Sequence, residues 1–179
     1  GAKIDYPNDI WDVALTFLRI GDGFNPAMGF VPRTGITKLM GGGSFKVYPG
    51  STPWLRMMNH QFRPTVVWDL DGDWESYRFF TAPINWRLES GDRIEINVSP
   101  EGERLKEPFR IANGVVIEPG SYHFTRYRLE WEMAAKRMVS GQLTWRFGDF
   151  YDGNLDQIEA QVRFRPMELL IFDLPPLET

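Results

Sequence analysis

Along the second half of the chain, apolar and polar residues alternate one for one. Leu143, Thr144, Trp145, Arg146 and Phe147 run in that order. So do Ile158, Glu159, Ala160, Gln161, Val162, Arg163 and Phe164. Successive side chains of a strand point to opposite faces, so this period builds a sheet with one apolar face and one face of Arg, Glu and Gln. The split recurs upstream. Ile84, Trp86 and Leu88 oppose Asn85, Arg87 and Glu89; Ile94, Ile96 and Val98 oppose Arg93, Glu95 and Asn97; Tyr127, Leu129, Trp131 and Met133 oppose Arg128, Glu130 and Glu132. Burying a large apolar side chain is worth roughly 1.5–3 kcal/mol. A slip of one residue would turn a whole such face the wrong way, so register is strongly specified. Two kinds of sheet carry this pattern: a half-buried antiparallel sheet in water, and a membrane barrel with its apolar face in lipid.

The expected fold is all-β: an antiparallel up-and-down meander of about eight to nine strands, closed or partly closed as a barrel, with residues 1–179 as one domain. No long segment holds a 3.6-residue apolar period. Nine extended segments are read, at about 10–20, 36–48, 54–70, 74–88, 92–99, 121–133, 137–148, 155–165 and 168–174. Pro83 implies a bulge or bend. Phe124 and Tyr127 fall in opposite phase, which implies a second bulge near Thr125. Gly41-Gly42-Gly43 implies a sharp bend or a close backbone approach. Asp71-Gly72 signals a two-residue hairpin, and Ser90-Gly91 another tight turn. Ala134-Ala135-Lys136 and Arg165-Pro166-Met167 read as short links. The connections at 21–35 and 100–120 read as long, and the one around 149–154 as longer than its neighbours. In a meander all of these lie at one end. Outer-membrane barrels show such asymmetry, with long loops at one end and short turns at the other.

Composition narrows the classes. The 179 residues suffice for one domain with a core. The net charge of -4 carries no long run of one sign, which argues against a general nucleic-acid binder. There are no cysteines, so disulfides and thiolate chemistry are excluded. The 7 Trp and 13 Phe suit a large β core, a sugar-binding surface or the aromatic girdles of a membrane barrel. No apolar run approaches the ~20 residues of a membrane-spanning helix. The start at Gly1-Ala2-Lys3 reads as a processed or excised chain.

Catalytic, cofactor and metal motifs are not found. Asp69-Leu70-Asp71-Gly72-Asp73-Trp74-Glu75 has the alternating acids of a calcium loop. Its glycine is one place early, however, and a hairpin turn with solvated acids explains it better. Gly148-Asp149-Phe150-Tyr151-Asp152-Gly153 sets rings beside acids, as sugar sites do. A loop whose Asp-Gly supplies a positive-φ turn is the simpler reading. His60 and His123 each stand apart and read as structural or exposed. Glu130 and Glu132 share a face, as a glycosidase pair would, but a lattice of Arg and Glu is the more usual use of such a face.

Several blocks carry a family resemblance: Asp5-Tyr6-Pro7-Asn8-Asp9-Ile10-Trp11, Ile20-Gly21-Asp22-Gly23-Phe24-Asn25-Pro26 and Gly29-Phe30-Val31-Pro32-Arg33. They continue with Leu105-Lys106-Glu107-Pro108-Phe109, Ile117-Glu118-Pro119-Gly120-Ser121-Tyr122 and Gly148-Asp149-Phe150-Tyr151-Asp152-Gly153. In these the chain resembles the C-terminal barrel region of bacterial envelope proteins of unknown function, which join a domain similar to family-9 carbohydrate-binding modules to an outer-membrane β-barrel. The resemblance implies an outer-membrane location, lipid as a partner, an upstream carbohydrate-binding part and no established reaction. It implies that the chain is a C-terminal piece of a larger envelope protein.

Three readings of function follow. The first is a non-enzymatic outer-membrane barrel segment that handles a carbohydrate-type ligand together with an upstream domain. The second is a soluble lipocalin-like barrel or sandwich that binds a small ligand or sugar. The third is an envelope hydrolase with paired carboxylates. The first two differ in direction. In water, Trp86, Trp131, Trp145 and Phe164 should be buried, with Arg87, Glu130 and Arg146 solvated; in a membrane barrel the reverse holds. The sequence leaves ligand and oligomeric state open.

Overall fold

The computed structural model describes residues 1–23, 34–112, 114–167, 170–173 and 177–178. Among these residues thirteen strands are found: β1 (Ala2–Tyr6), β2 (Trp11–Ile20), β3 (Ile36–Val47), β4 (Leu55–Asp69), β5 (Trp74–Leu88), β6 (Arg93–Leu105), β7 (Phe109–Ala112), β8 (Val115–Ile117), β9 (Gly120–Met133), β10 (Val139–Phe150), β11 (Gly153–Met167), β12 (Leu170–Asp173) and β13 (Leu177–Glu178). No helix occurs among the described residues. Strands β1 to β6 and β9 to β12 pair in chain order, each antiparallel to the next, and β13 also pairs with β11. The expected all-β antiparallel meander is thus present.

The sheet is open. Among the described residues β1 at one edge makes no pair with β11, β12 or β13 at the other, so a closed barrel does not form. The expected long connection at 100–120 is mostly strand. β6 continues through Pro100 and Gly102 to Leu105, and β7 and β8 make a small hairpin of their own. The expected bulge near Thr125 is also absent: β6 and β9 pair without a shift from Arg93↔Glu132 to Leu105↔Gly120. Phe124 is instead an aromatic residue on the polar face, buried at its upper end. The connection at 149–154 is a tight turn between Phe150 and Gly153, and its positive φ falls on Tyr151 rather than on a glycine. Arg165-Pro166-Met167 is the end of β11 rather than a link. Most of the 21–35 connection lies outside the described residues.

The other local signals have physical counterparts. β4 to β5 and β5 to β6 both shift register near Pro83, between Met58 and Gln61 and between Thr81 and Ile84. His60 Nδ1 donates to the Pro83 carbonyl at 2.8 Å, which satisfies a group the bulge takes out of the ladder. The glycine run lets backbones approach: a Cβ on Gly42 would lie 1.9 Å from Phe62 O, and one on Gly43 would lie 2.0 Å from Asp12 O. Gly72 and Gly91 hold positive φ in two turns of the same build. Asp69 N donates to Asp73 O and Leu88 N donates to Asp92 O, both at 2.9 Å. These are three-residue loops, one residue longer than the Asp71-Gly72 signal implies.

Among the described residues no second layer covers the large sheet, yet inner positions of β6, β9 and β10 are more buried than the outer ones beside them. Glu95, Asn97, Ser99, Glu101, Glu130 and Thr144 are all under 9% exposed. Trp131 is 45% exposed, Trp145 39% and Phe164 38%. The sheet therefore curls toward its charged face. We call that face inner and the apolar face outer.

Candidate functional site

Alternation on β6 sends Arg93, Glu95, Asn97, Ser99, Glu101 and Glu103 inward. The regular β6–β9 register brings Arg126, Arg128, Glu130 and Glu132 beside them. β10 adds Thr144 and Arg146, and β11 adds Glu159. Coulomb attraction orders these side chains into a lattice. Arg93 bonds Glu95 at 2.5 Å, Glu132 at 2.9 Å, and Glu130 as well. Arg128 bonds the same two buried acids, Glu95 at 2.5 Å and Glu130 at 3.2 Å, and its Nε donates to Asn97 Oδ1 at 2.6 Å. Arg146 holds Glu159 at 3.0 Å. Burying a carboxylate alone costs far more than any one contact returns, so this mutual pairing is what makes a charged interior tolerable.

Above the lattice the inner face changes character. Arg126 bonds Glu101, and Arg78 Nε lies 3.2 Å from the other oxygen of that carboxylate. The Arg126 guanidinium lies over the rings of Phe124 and Phe150 at 5.7 and 5.9 Å. Tyr151 packs on Phe124, Phe150 and Tyr122, and its hydroxyl donates to Glu103 at 2.6 Å. Burial and that bond push the Tyr151 phenol up to about 12, so it stays a donor at neutral pH. Between the lattice and this aromatic cluster lies a cavity of about 310 Å³, walled by Arg78, Asn97, Glu101, Arg126, Arg128 and Arg146.

The residues singled out in the sequence fall in different places. Asp69 and Glu75 do not surround a cation site. Both bind Lys106, at 3.1 and 2.8 Å, and Asp69 caps its own turn through Asp73 N. That ammonium holds the Asp69 carboxyl below its ordinary range. Among the described residues no group of His, Asp and Glu is arranged to hold a metal ion. Both histidines lie on the outer face: His60 at the Pro83 bulge, and His123 stacked on Trp74 at 5.3 Å with the Tyr77 hydroxyl 3.0 Å from its Nδ1. Glu130 and Glu132 do share a face, but both are tied to Arg93, as in a lattice. Asp149 is exposed at the upper rim, whereas Tyr151 of the same block joins the inner cluster.

The cavity itself was not legible in the sequence. Glu101 sits between Pro100 and Gly102 and Glu103 follows them, in a stretch that reads as loop, and Arg126 adjoins the expected bulge at Thr125. The available signal was phase: 99, 101 and 103 continue the inward period of 93, 95 and 97.

No family model, curated protein or solved structure matches the chain.

Proposed function

We propose that this chain is a non-enzymatic, membrane-embedded β-barrel segment of a bacterial outer-membrane protein, whose outer face meets lipid and whose polar inner face receives a carbohydrate-type ligand. The observation that carries the reading is the direction of the faces: large apolar side chains point outward and carboxylates are buried inward. For a sheet in water this arrangement wastes the hydrophobic effect; for a sheet in lipid it is the expected one. Of the residues that distinguish the two directions, Trp131, Trp145 and Phe164 are exposed and Glu130 is buried, as a membrane barrel requires, whereas Arg87 on the inner face is exposed, as a sheet in water requires.

The outer face supports the reading in two further ways. On β10 it runs Val139, Gly141, Leu143, Trp145, Phe147, flanked by Tyr127 to Met133 on β9 and Ile158 to Phe164 on β11. Such a stretch is ~26 Å long along the strand at ~3.3 Å per residue, or roughly 20 Å of height once tilted, a little under the ~25 Å apolar band of membrane barrels. The upper border of the band passes from Arg19 and Thr37 through Thr125 to Asp156. Followed through the pairing register, it falls by roughly one residue per strand. At ~4.8 Å between strands this is an inclination of about 30–35°, close to the ~35–45° tilt of membrane strands. Aromatic residues gather toward both limits. Trp54 and Trp86 are at one; Tyr127, Trp145 and Phe147 are at the other, where Trp145 Nε1 donates to Asp156 at 2.8 Å. In lipid an open sheet edge leaves backbone groups unpaired, so the reading requires that the edges at β1 and at β12 and β13 pair with further strands, from this chain or another.

The test is flotation with phospholipid vesicles after refolding from urea, beside gel filtration without detergent. Floating protein that aggregates without detergent is the expected result. Leu143→Arg in the middle of the band should weaken insertion by about 2–4 kcal/mol. A monodisperse chain without detergent that ignores vesicles would instead favour a soluble sheet.

A further inference from the structure

We infer that the inner-face cavity is a binding site for a small carboxylated sugar, a single uronate-type ring. This deepens the ligand part of the reading above and does not depend on its lipid part, because the cavity opens on the inner face whatever covers the outer one.

The wall is rich in donors and poor in acceptors. Four guanidinium groups line it, from Arg78, Arg126, Arg128 and Arg146, and one carboxylate, Glu101. Arg126 hydrogen-bonds one oxygen of that carboxylate, and Arg78 Nε lies 3.2 Å from the other, which is buried without a hydrogen bond and can take one from a ligand hydroxyl. The carboxylate partners of Arg128 and Arg146, which are Glu95, Glu130 and Glu159, are not part of the wall. A guanidinium carries five N–H donors, and the ion pairs engage only some of them. A second carboxylate therefore fits the unused donors in the fork geometry that Arg favours.

An independent observation points the same way. Asn97 is 3% exposed, and its amide orientation is fixed because Oδ1 accepts from Arg128. Its Nδ2 is buried without a hydrogen-bond partner. Buried donors are rarely left so, and one in a ligand wall marks a place for an acceptor. Ser99 adds a hydroxyl to the same wall, and the Phe80 ring offers an apolar plate. Acceptors, hydroxyls and an apolar C–H face are together what a sugar acid presents. The volume is at the small end for ligand pockets, which suits one ring rather than a chain of them.

Calorimetric titration of the full chain, refolded in detergent micelles or in buffer as it requires, tests this with sodium D-glucuronate, D-glucose and inorganic phosphate. The expected result is saturable heat from glucuronate and at least tenfold weaker binding of glucose and phosphate. Arg146→Gln and Arg126→Gln should each weaken glucuronate at least tenfold, while Arg104→Gln at the outer rim leaves it unchanged. Circular dichroism identifies a variant that fails to fold, and either cavity variant suffices. Equal binding of glucose and glucuronate, phosphate as tight as glucuronate, or no heat beyond dilution from glucuronate would overturn the proposal. Vesicle flotation without glucuronate binding would sink this site alone; glucuronate binding without flotation would sink only the membrane reading.

Discussion

At the residue scale, the buried polar groups are the ones whose loss should be felt most. Asp92 follows the Ser90-Gly91 turn and is 7% exposed. Its carboxylate accepts from Ala134 N at 2.8 Å and from Arg137 at 2.7 Å, which ties the β5–β6 turn to the β9–β10 turn. Burial pushes its pKa up, but the bonds from Ala134, Ser90 and Arg137 outweigh burial and hold it below the ordinary 3.8. A carboxyl lowered in the folded state stabilises fully above its unfolded value, and that contribution is lost as pH falls through the lower folded one. Asp92→Asn should therefore cost about 1.5–3 kcal/mol at pH 7. In urea titrations its deficit should shrink below about pH 4. A deficit that stays constant down to pH 2 would mean that the charge of Asp92 is not what matters. The sequence marked this turn by its glycine but gave no sign of the cross-turn bond, because residues 92 and 134 meet only through the pairing of β6 with β9.

At the scale of strands, pattern was a good guide wherever inner and outer residues differ in polarity. β9, β10 and β11 are legible for that reason. It failed where outer positions hold Pro100 and Gly102, since neither looks like a strand residue. Gly102 has a use only the structure reveals: a Cβ there would lie 2.2 Å from the Tyr77 ring, which covers it. Phe124 misled in the opposite way, as an aromatic residue on the polar face suggested a bulge where the ladder is regular. β1 alternates in the same way, Ala2, Ile4 and Tyr6 against Lys3 and Asp5, but at five residues ending before Pro7 it is too short for the period to stand out. The β6–β9 pairing should depend on its lattice. Glu130→Gln leaves Arg93 and Arg128 short of a buried counter-charge, and about 3 kcal/mol or more should be lost. Adding Arg93→Gln should restore part of it, so a double-mutant cycle in urea should show coupling of at least ~1 kcal/mol. Additive losses would mean that the lattice is no more than a set of independent pairs.

At the scale of the whole molecule, what matters is which solvent each face meets. Alternation alone established two unlike faces and left their direction open. Curvature decides direction, and it arises from many small register shifts, glycine approaches and twists that no local window contains. The charged lattice and the Arg-lined cavity lie on the inside of the curl, and the tilted apolar band lies on the outside. A membrane barrel requires that band to meet lipid. The most direct measurement is tryptophan quenching of the chain refolded into vesicles, comparing lipids brominated in the acyl chain with aqueous acrylamide. Trp131 and Trp145 lie in the band, so strong quenching by bromolipid with little by acrylamide is the predicted result. Full access to acrylamide with no quenching by bromolipid would contradict it.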